Sequence, residues 1–175
     1  MKISLLTLIL LFTSNSPIKS QPLPCLGKTD FHFVILGSST AAGAGVSHSD
    51  SAWVNKLRVF LQDLNPENKV TNLAVGGFNT YRIMPTGFDP PAGRPAPDTL
   101  KNITTAVMLA PDAIIVNLPS NDVSSGYSVV EQLSNFDTIV QHAHLANIPI
   151  WICTTQPKNY GGNPIPIQKQ LDVRD

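Results

Sequence analysis

Between Phe31 and Gly45 the chain reads FHFVILGSSTAAGAG, an apolar run rich in Val and Ile that stops at Gly37 and gives way to very small residues. That pattern predicts a buried strand running into a tight turn, with a helix following. In open α/β sheets, ligands bind at the carboxyl ends of the strands. Small side chains let other groups approach the backbone there, and Ser38, Ser39 and Thr40 place hydroxyls at the strand's exit. Chemistry is expected first at Ser38–Ser39.

The rest of the chain alternates in the same way. Ser49, Asp50 and Ser51 offer N-caps to an amphipathic helix that puts Trp53, Leu57, Phe60, Leu61 and Leu64 on one face. Asn65–Pro66 ends it, and a second strand from Lys69 to Val75 runs into Gly76–Gly77. Strand, helix and strand make a βαβ unit, which implies parallel pairing and a right-handed crossover. The segment MPTGFDPPAGRPAP that follows holds too many prolines for a helix or strand interior. Loops of this length in compact domains are often functional. Asp98 is expected to cap a short helix through Ile103, Val107 and Leu109. AIIVNLP then reads as a third strand, with Pro119–Ser120–Asn121–Asp122 at its end. A long helix from about Ser128 to Ala146 should turn Val129, Leu133, Phe136, Val140 and Ala143 inward. Asn147–Ile148–Pro149 breaks it before PIWICTT, the fourth strand.

The expected fold is therefore α/β, a three-layer doubly wound parallel sheet. Parallel strands share a direction, so Ser39, Gly76–Gly77, Asn121–Asp122 and Thr154–Thr155 should meet at one edge.

At 175 residues the chain fits one domain with a real core, and 42% hydrophobic against 14% charged residues suits a folded protein. A formal net charge of zero supplies no basic stripe to neutralise phosphates, so nucleic acid is not an expected partner. Residues 1–20 have the pattern of a secretory signal peptide: Lys2, an apolar stretch from Ile3 to Phe12, then a polar stretch with cleavage expected after Ser20. That stretch is far shorter than the roughly 20 residues a membrane span needs. A secreted or periplasmic protein without stable membrane insertion is expected. Pro24 fits poorly before a lipidated Cys25. In an exported chain Cys25 and Cys153 are candidates for a disulfide, while the apolar setting of Cys153 equally suits a free buried thiol.

A hydroxyl nucleophile needs a base to activate it and donors to hold the developing oxyanion. Ser39 stands where a nucleophile would. Gly77 offers an unobstructed backbone N–H, and Asn121 offers a side-chain amide. Taken singly, each feature has a plainer reading: SST as a helix cap, Gly-Gly as a tight turn, Asn-Asp as a cap. Gly43-x-Gly45 lacks the third glycine of a dinucleotide fingerprint, and no Gly-Lys-Ser/Thr is present. The joint occurrence favours acyl transfer.

These blocks resemble those of the SGNH hydrolases, also called GDSL esterases. The family's Gly-Asp-Ser block is similar to Gly37–Ser38–Ser39, which makes Ser39 the nucleophile and puts Ser38 where the family has Asp. Its second block resembles the run from Asn72 to Gly77 and implies Gly77 as an oxyanion donor. Its Gly-x-Asn-Asp block resembles Pro119–Ser120–Asn121–Asp122, with Pro119 in place of Gly, and implies Asn121 as another donor. LPSND followed by TTQPKN resembles an exported branch. The resemblance runs from about Phe31 onward and implies a flavodoxin-like SGNH fold, a serine esterase activity, and neither cofactor nor metal. Exported relatives suggest carbohydrate O-acetyl esters, others lipids. A small-molecule or polysaccharide ester is the expected partner.

The family's closing Asp-x-x-His has no counterpart: no Asp in this sequence is followed three positions later by His. The chain is therefore expected to be a hydrolase domain over residues 26–175, truncated before its last strand, catalytic block and last helix, and inactive as given. Among the histidines, His142 and His144 fall on the long helix and His32 at the opposite sheet edge. Only His48 falls near Ser39, where a surface role is the default. Asp122 is expected to brace its loop. Tyr81, Arg82 and Arg94 flank or lie in the proline-rich loop and are candidates to line a substrate cleft, with solvated surface as the default. A non-catalytic module binding a small ligand or glycan at the same edge is the alternative.

Overall fold

The computed structural model describes residues 29–118, 120–154 and 159–174. The leader, Cys25, Pro119 and Thr155 lie outside the described residues, and the expectations that fall on them lie there too.

Four strands form one parallel sheet in the order β2-β1-β3-β4: β1 (His32–Gly37), β2 (Lys69–Asn72), β3 (Ala113–Asn117) and β4 (Ile150–Ile152). Ile35 pairs with Asn72 on one side and Ile115 on the other, and Gly37 pairs with Asn117. The chain lays β2 on one side of β1 and then crosses to lay β3 on the other. The switch point thus falls between β1 and β3, where doubly wound sheets open a crevice. This is the three-layer α/β arrangement expected from the sequence.

Alternation along the strands divides the core in two. Val34, Leu36, Ile114 and Val116 face Met84, Ile103, Ile139 and Ala143. Phe33, Ile35 and Ile115 face Trp53, Val54, Leu57 and Leu61. Complete burial of Ile35, Leu36 and Ile114 contributes about 1.5–3 kcal/mol each, which makes β1 and β3 the centre of the sheet. A cavity of about 380 Å³ lined by Phe31, Leu64, Asp112, Pro149 and Trp151 lies at the edge where the strands begin, opposite their carboxyl ends.

The helices are α1 (Ser39–Ala42), α2 (Trp53–Leu64), α3 (Ile103–Met108), α4 (Asn121–Ser124), α5 (Val129–Leu145) and α6 (Pro164–Arg174). Several differ in detail from the sequence reading. Ser49–Ser51 form a separate 3-10 turn instead of capping α2, whose N-cap is Ala52 with no side-chain cap. On α2 the fully buried residue is Val54, whereas Phe60 and Leu64 are 59% and 68% exposed. The apolar arc is wider than the sheet beneath it, so its flank stays in water. Asp98 does not cap α3; Asn102 does, accepting from the Thr105 N–H at 3.0 Å.

On α5 the buried face is Gln132, Asn135, Ile139 and Ala143, while Leu133 is exposed. Two polar residues lie inside because each has partners: Gln132 donates to the Tyr127 and Ser128 carbonyls, and Asn135 donates to Thr80 Oγ1 at 2.7 Å. Of the face expected from hydropathy, Ala143 is buried and Phe136 packs on the core, whereas Leu133 is exposed and Gln132 and Asn135 take the inner positions beside it. Pro164 and Pro166 sit in the first turn of α6, where a missing N–H costs nothing because the first four have no intrahelical acceptor.

Candidate active site

Gly37 ends β1 under tight constraint. A Cβ there would lie 2.7 Å from the Asn117 carbonyl oxygen and 2.8 Å from the Ala41 Cβ. Only glycine lets α1 start directly over the strand end. Ser38 is extended and fully buried, and its N–H donates to the Asn117 carbonyl at 3.2 Å, carrying the β1–β3 ladder one step further. Its side chain does not cap α1, so the plain reading of SST as a cap fails for this residue. Ser39 is the first residue of α1 and half-buried, and as first residue its N–H has no intrahelical acceptor.

The second strand's end is built around Asn72. Its amide donates to the Ala41 carbonyl at 2.8 Å, while its Oδ1 accepts from the Ala74 N–H at 3.0 Å. This pins α1, and Ser39 with it, to the β2 side. Leu73 and Val75 still donate to β1 carbonyls, so the chain follows β1 until it turns at Gly76–Gly77. Gly77 is exposed with φ of 85°, and a Cβ there would meet nothing within 4 Å. Its need for glycine is conformational rather than steric.

The third strand's end brings these pieces together. Asn121 opens α4, and its Nδ2 donates to Ser38 Oγ at 2.6 Å and to the Phe78 carbonyl at 2.7 Å. One amide thereby ties the turn after β1, the Gly-Gly turn and the loop after β3. Phe78 and the burial of Ser38 have no signature in the sequence: the first acts through its carbonyl, and the second depends on what packs around it.

Asp122 braces the same loop, accepting from the Thr80 N–H at 3.0 Å and the Thr80 hydroxyl at 2.6 Å. Burial pushes its carboxyl above the ordinary value, and the Thr80 bonds offset part of that rise.

Arg94 and Tyr81 depart from the solvated surface expected for them. Tyr81 is buried and donates its hydroxyl to Glu131 at 2.7 Å. Arg94 makes a two-pronged ion pair with Glu131 and lies 4.1 Å over the Tyr127 ring. That cluster clamps the proline-rich loop to α5, and the Arg94 charge is already matched. Arg82 is the exposed member, donating to the Ala96 carbonyl at 3.1 Å. His142 pairs with Thr104, bridging α5 and α3. Cys153 carries no disulfide, and burial raises its thiol pKa, with an Asn117 bond opposing.

The sequence model of the GDSL-like lipase/acylhydrolase family matches residues 35–173, a span that includes every residue just described at the strand ends. No curated protein matches. Among solved structures, TesA superposes with a TM-score of 0.61 at 20% identity, covering 81% of this chain and 69% of that one. The psychrotrophic esterase EstA from Pseudoalteromonas sp., inhibited by monoethylphosphonate, gives 0.59 at 16%, covering 82% and 70%. AlinE4, an SGNH-hydrolase family esterase, gives 0.60 at 20%, covering 83% and 68%.

Proposed function

This chain belongs to the GDSL-like lipase/acylhydrolase family, a family of ester hydrolases, and from that premise we propose that Ser39 is its nucleophile. In this reading Ser39 attacks an ester carbonyl. The N–H groups of Ser39 and Gly77 and the Asn121 amide hold the oxyanion that forms. The observation that supports it best is the pair of hydrogen bonds that the Asn121 amide donates to Ser38 and Phe78, which joins the three strand ends on which the reading depends. Losing an oxyanion donor typically lowers kcat by about 10²–10³. In a chain extended by the family's Asp-x-x-His segment, replacement of Asn121 by Ala is thus expected to lower turnover far more than it weakens substrate binding.

The base is the open element. None of the aspartates is followed three positions later by His, so these 175 residues alone are proposed to show little or no triad-dependent hydrolysis. We further propose export directed by residues 1–20, and carbohydrate O-acetyl esters as the substrate class.

The decisive experiment joins the chain to a C-terminal segment bearing the family's Asp-x-x-His and measures p-nitrophenyl acetate hydrolysis with and without that segment. Turnover that appears on joining and disappears with Ser39→Ala is the expected result. Full turnover in Ser39→Ala sinks the assignment. Release of acetate from an acetylated polysaccharide, compared with release of fatty acid from a lysophospholipid, tests the substrate class.

A further inference from the structure

We propose that Ser38 is a positioning residue for the oxyanion amide: its buried hydroxyl oxygen holds the Asn121 side chain in register and is the acceptor from which Asn121 turns to the oxyanion. This rests on the esterase reading above.

The donor and acceptor roles follow from the geometry. The Phe78 carbonyl can only accept, so the group 2.7 Å from it is the amide nitrogen of Asn121 and not its oxygen. The same nitrogen lies 2.6 Å from Ser38 Oγ. Ser38 therefore accepts there, and its own hydroxyl hydrogen points elsewhere. Both hydrogens of the Asn121 amide are engaged at rest.

The two acceptors are not equivalent. The Phe78 carbonyl is backbone, fixed by the turn whose Phe78 N–H donates to Val75 at 3.2 Å. Ser38 Oγ is a neutral side-chain oxygen, and a charged acceptor competes well against it, since hydrogen bonds to charged groups are roughly twice as strong. A developing oxyanion beside Ser39 thus draws on the hydrogen parked on Ser38, while Phe78 keeps the amide plane from rotating. Ser38 has no exposed surface, so it acts through Asn121 and not on substrate.

The test reads the amide and the oxyanion site separately. Side-chain amide signals of Asn121, identified by their loss in Asn121→Asp, are followed by NMR in the unsubstituted chain and in Ser38→Ala, Ser38→Cys, Ser38→Asp and Ser39→Ala. Both Ala and Cys at position 38, the latter keeping the volume while offering a poor acceptor, should shift these signals. Their exchange with solvent should quicken by about tenfold or more, the scale of one hydrogen bond. Asp at 38 restores an oxygen acceptor and should return slow exchange, and Ser39→Ala should leave the signals in place. Unchanged Asn121 signals in both Ser38→Ala and Ser38→Cys overturn the proposal.

Benzeneboronic acid then probes the site as a tetrahedral adduct on Ser39, read by boron NMR. In the chain joined to the Asp-x-x-His segment, the expected result is binding with Ser38 and Ser39 intact, none in Ser39→Ala, and about tenfold weaker binding in Ser38→Cys. Binding undiminished in Ser38→Cys overturns the oxyanion role. Failure of the joined chain to bind overturns the esterase reading instead, and the amide spectrum then decides the Ser38 contact alone.

Discussion

At the residue scale, the candidate site depends on two glycines that do different things. Gly37 is required by space, with the Asn117 carbonyl and Ala41 waiting where a Cβ would go. Gly77 is required by conformation, with positive φ and open surroundings. Gly37→Ala forces backbone apart at the β1–β3 junction. It should destabilise by about 1–3 kcal/mol, near the upper end since the obstruction is partly main chain. Gly77→Ala should cost about 1–2 kcal/mol, the penalty of an L-residue in the left-handed region. Urea midpoints measure both. The contrast extends to function: Gly37→Ala displaces Ser38 and Ser39 together, whereas Gly77→Ala alters only the second turn.

At the scale of elements, α5 carries more than its length suggests. Its start is a capping box, in which Ser128 accepts from the Glu131 N–H at 3.1 Å and Glu131 accepts from the Ser128 N–H. The same Glu131 holds Arg94 of the proline-rich loop and the Tyr81 hydroxyl. Removing the cap by Ser128→Ala should cost about 1 kcal/mol, read by thermal melting. Because Glu131 is shared, the variant should also loosen the loop. Limited proteolysis between Pro85 and Pro97 should rise in Ser128→Ala, whereas a cap serving α5 alone would leave the cleavage rate unchanged.

At the scale of the whole molecule, two carboxylates pull stability in opposite directions with pH. Burial raises the Asp122 pKa above its ordinary 3.8, so the folded state binds that proton more tightly than the unfolded chain. Its effect is to lower stability as pH rises from 3.8 through the folded value. The Arg94 guanidinium, with Tyr81 assisting, holds Glu131 below its ordinary 4.5. That contribution is present above 4.5 and is lost as pH falls through the folded value. Melting temperatures from pH 3 to 7 should therefore lose their fall above pH 4 in Asp122→Asn and flatten on the acid side in Glu131→Gln. An unchanged profile in Asp122→Asn would remove Asp122 as a source of the slope.

The sequence by itself determined the alternation of strands and helices, the parallel sheet and the meeting of Ser39, Gly77 and Asn121 at one edge. These follow from local periodicity, from glycine and proline, and from the shared direction of parallel strands. Tertiary structure alone decided which face of α5 is buried, since Gln132 and Asn135 look like surface until Tyr127 and Thr80 are placed beside them. It likewise decided that Arg94 is spent on Glu131 and that the Asn121 amide rests on Ser38. The reason is physical: hydropathy and spacing are properties of neighbours in the chain, whereas a hydrogen bond spanning 83 positions, as between Ser38 and Asn121, exists only once the strands have been brought side by side.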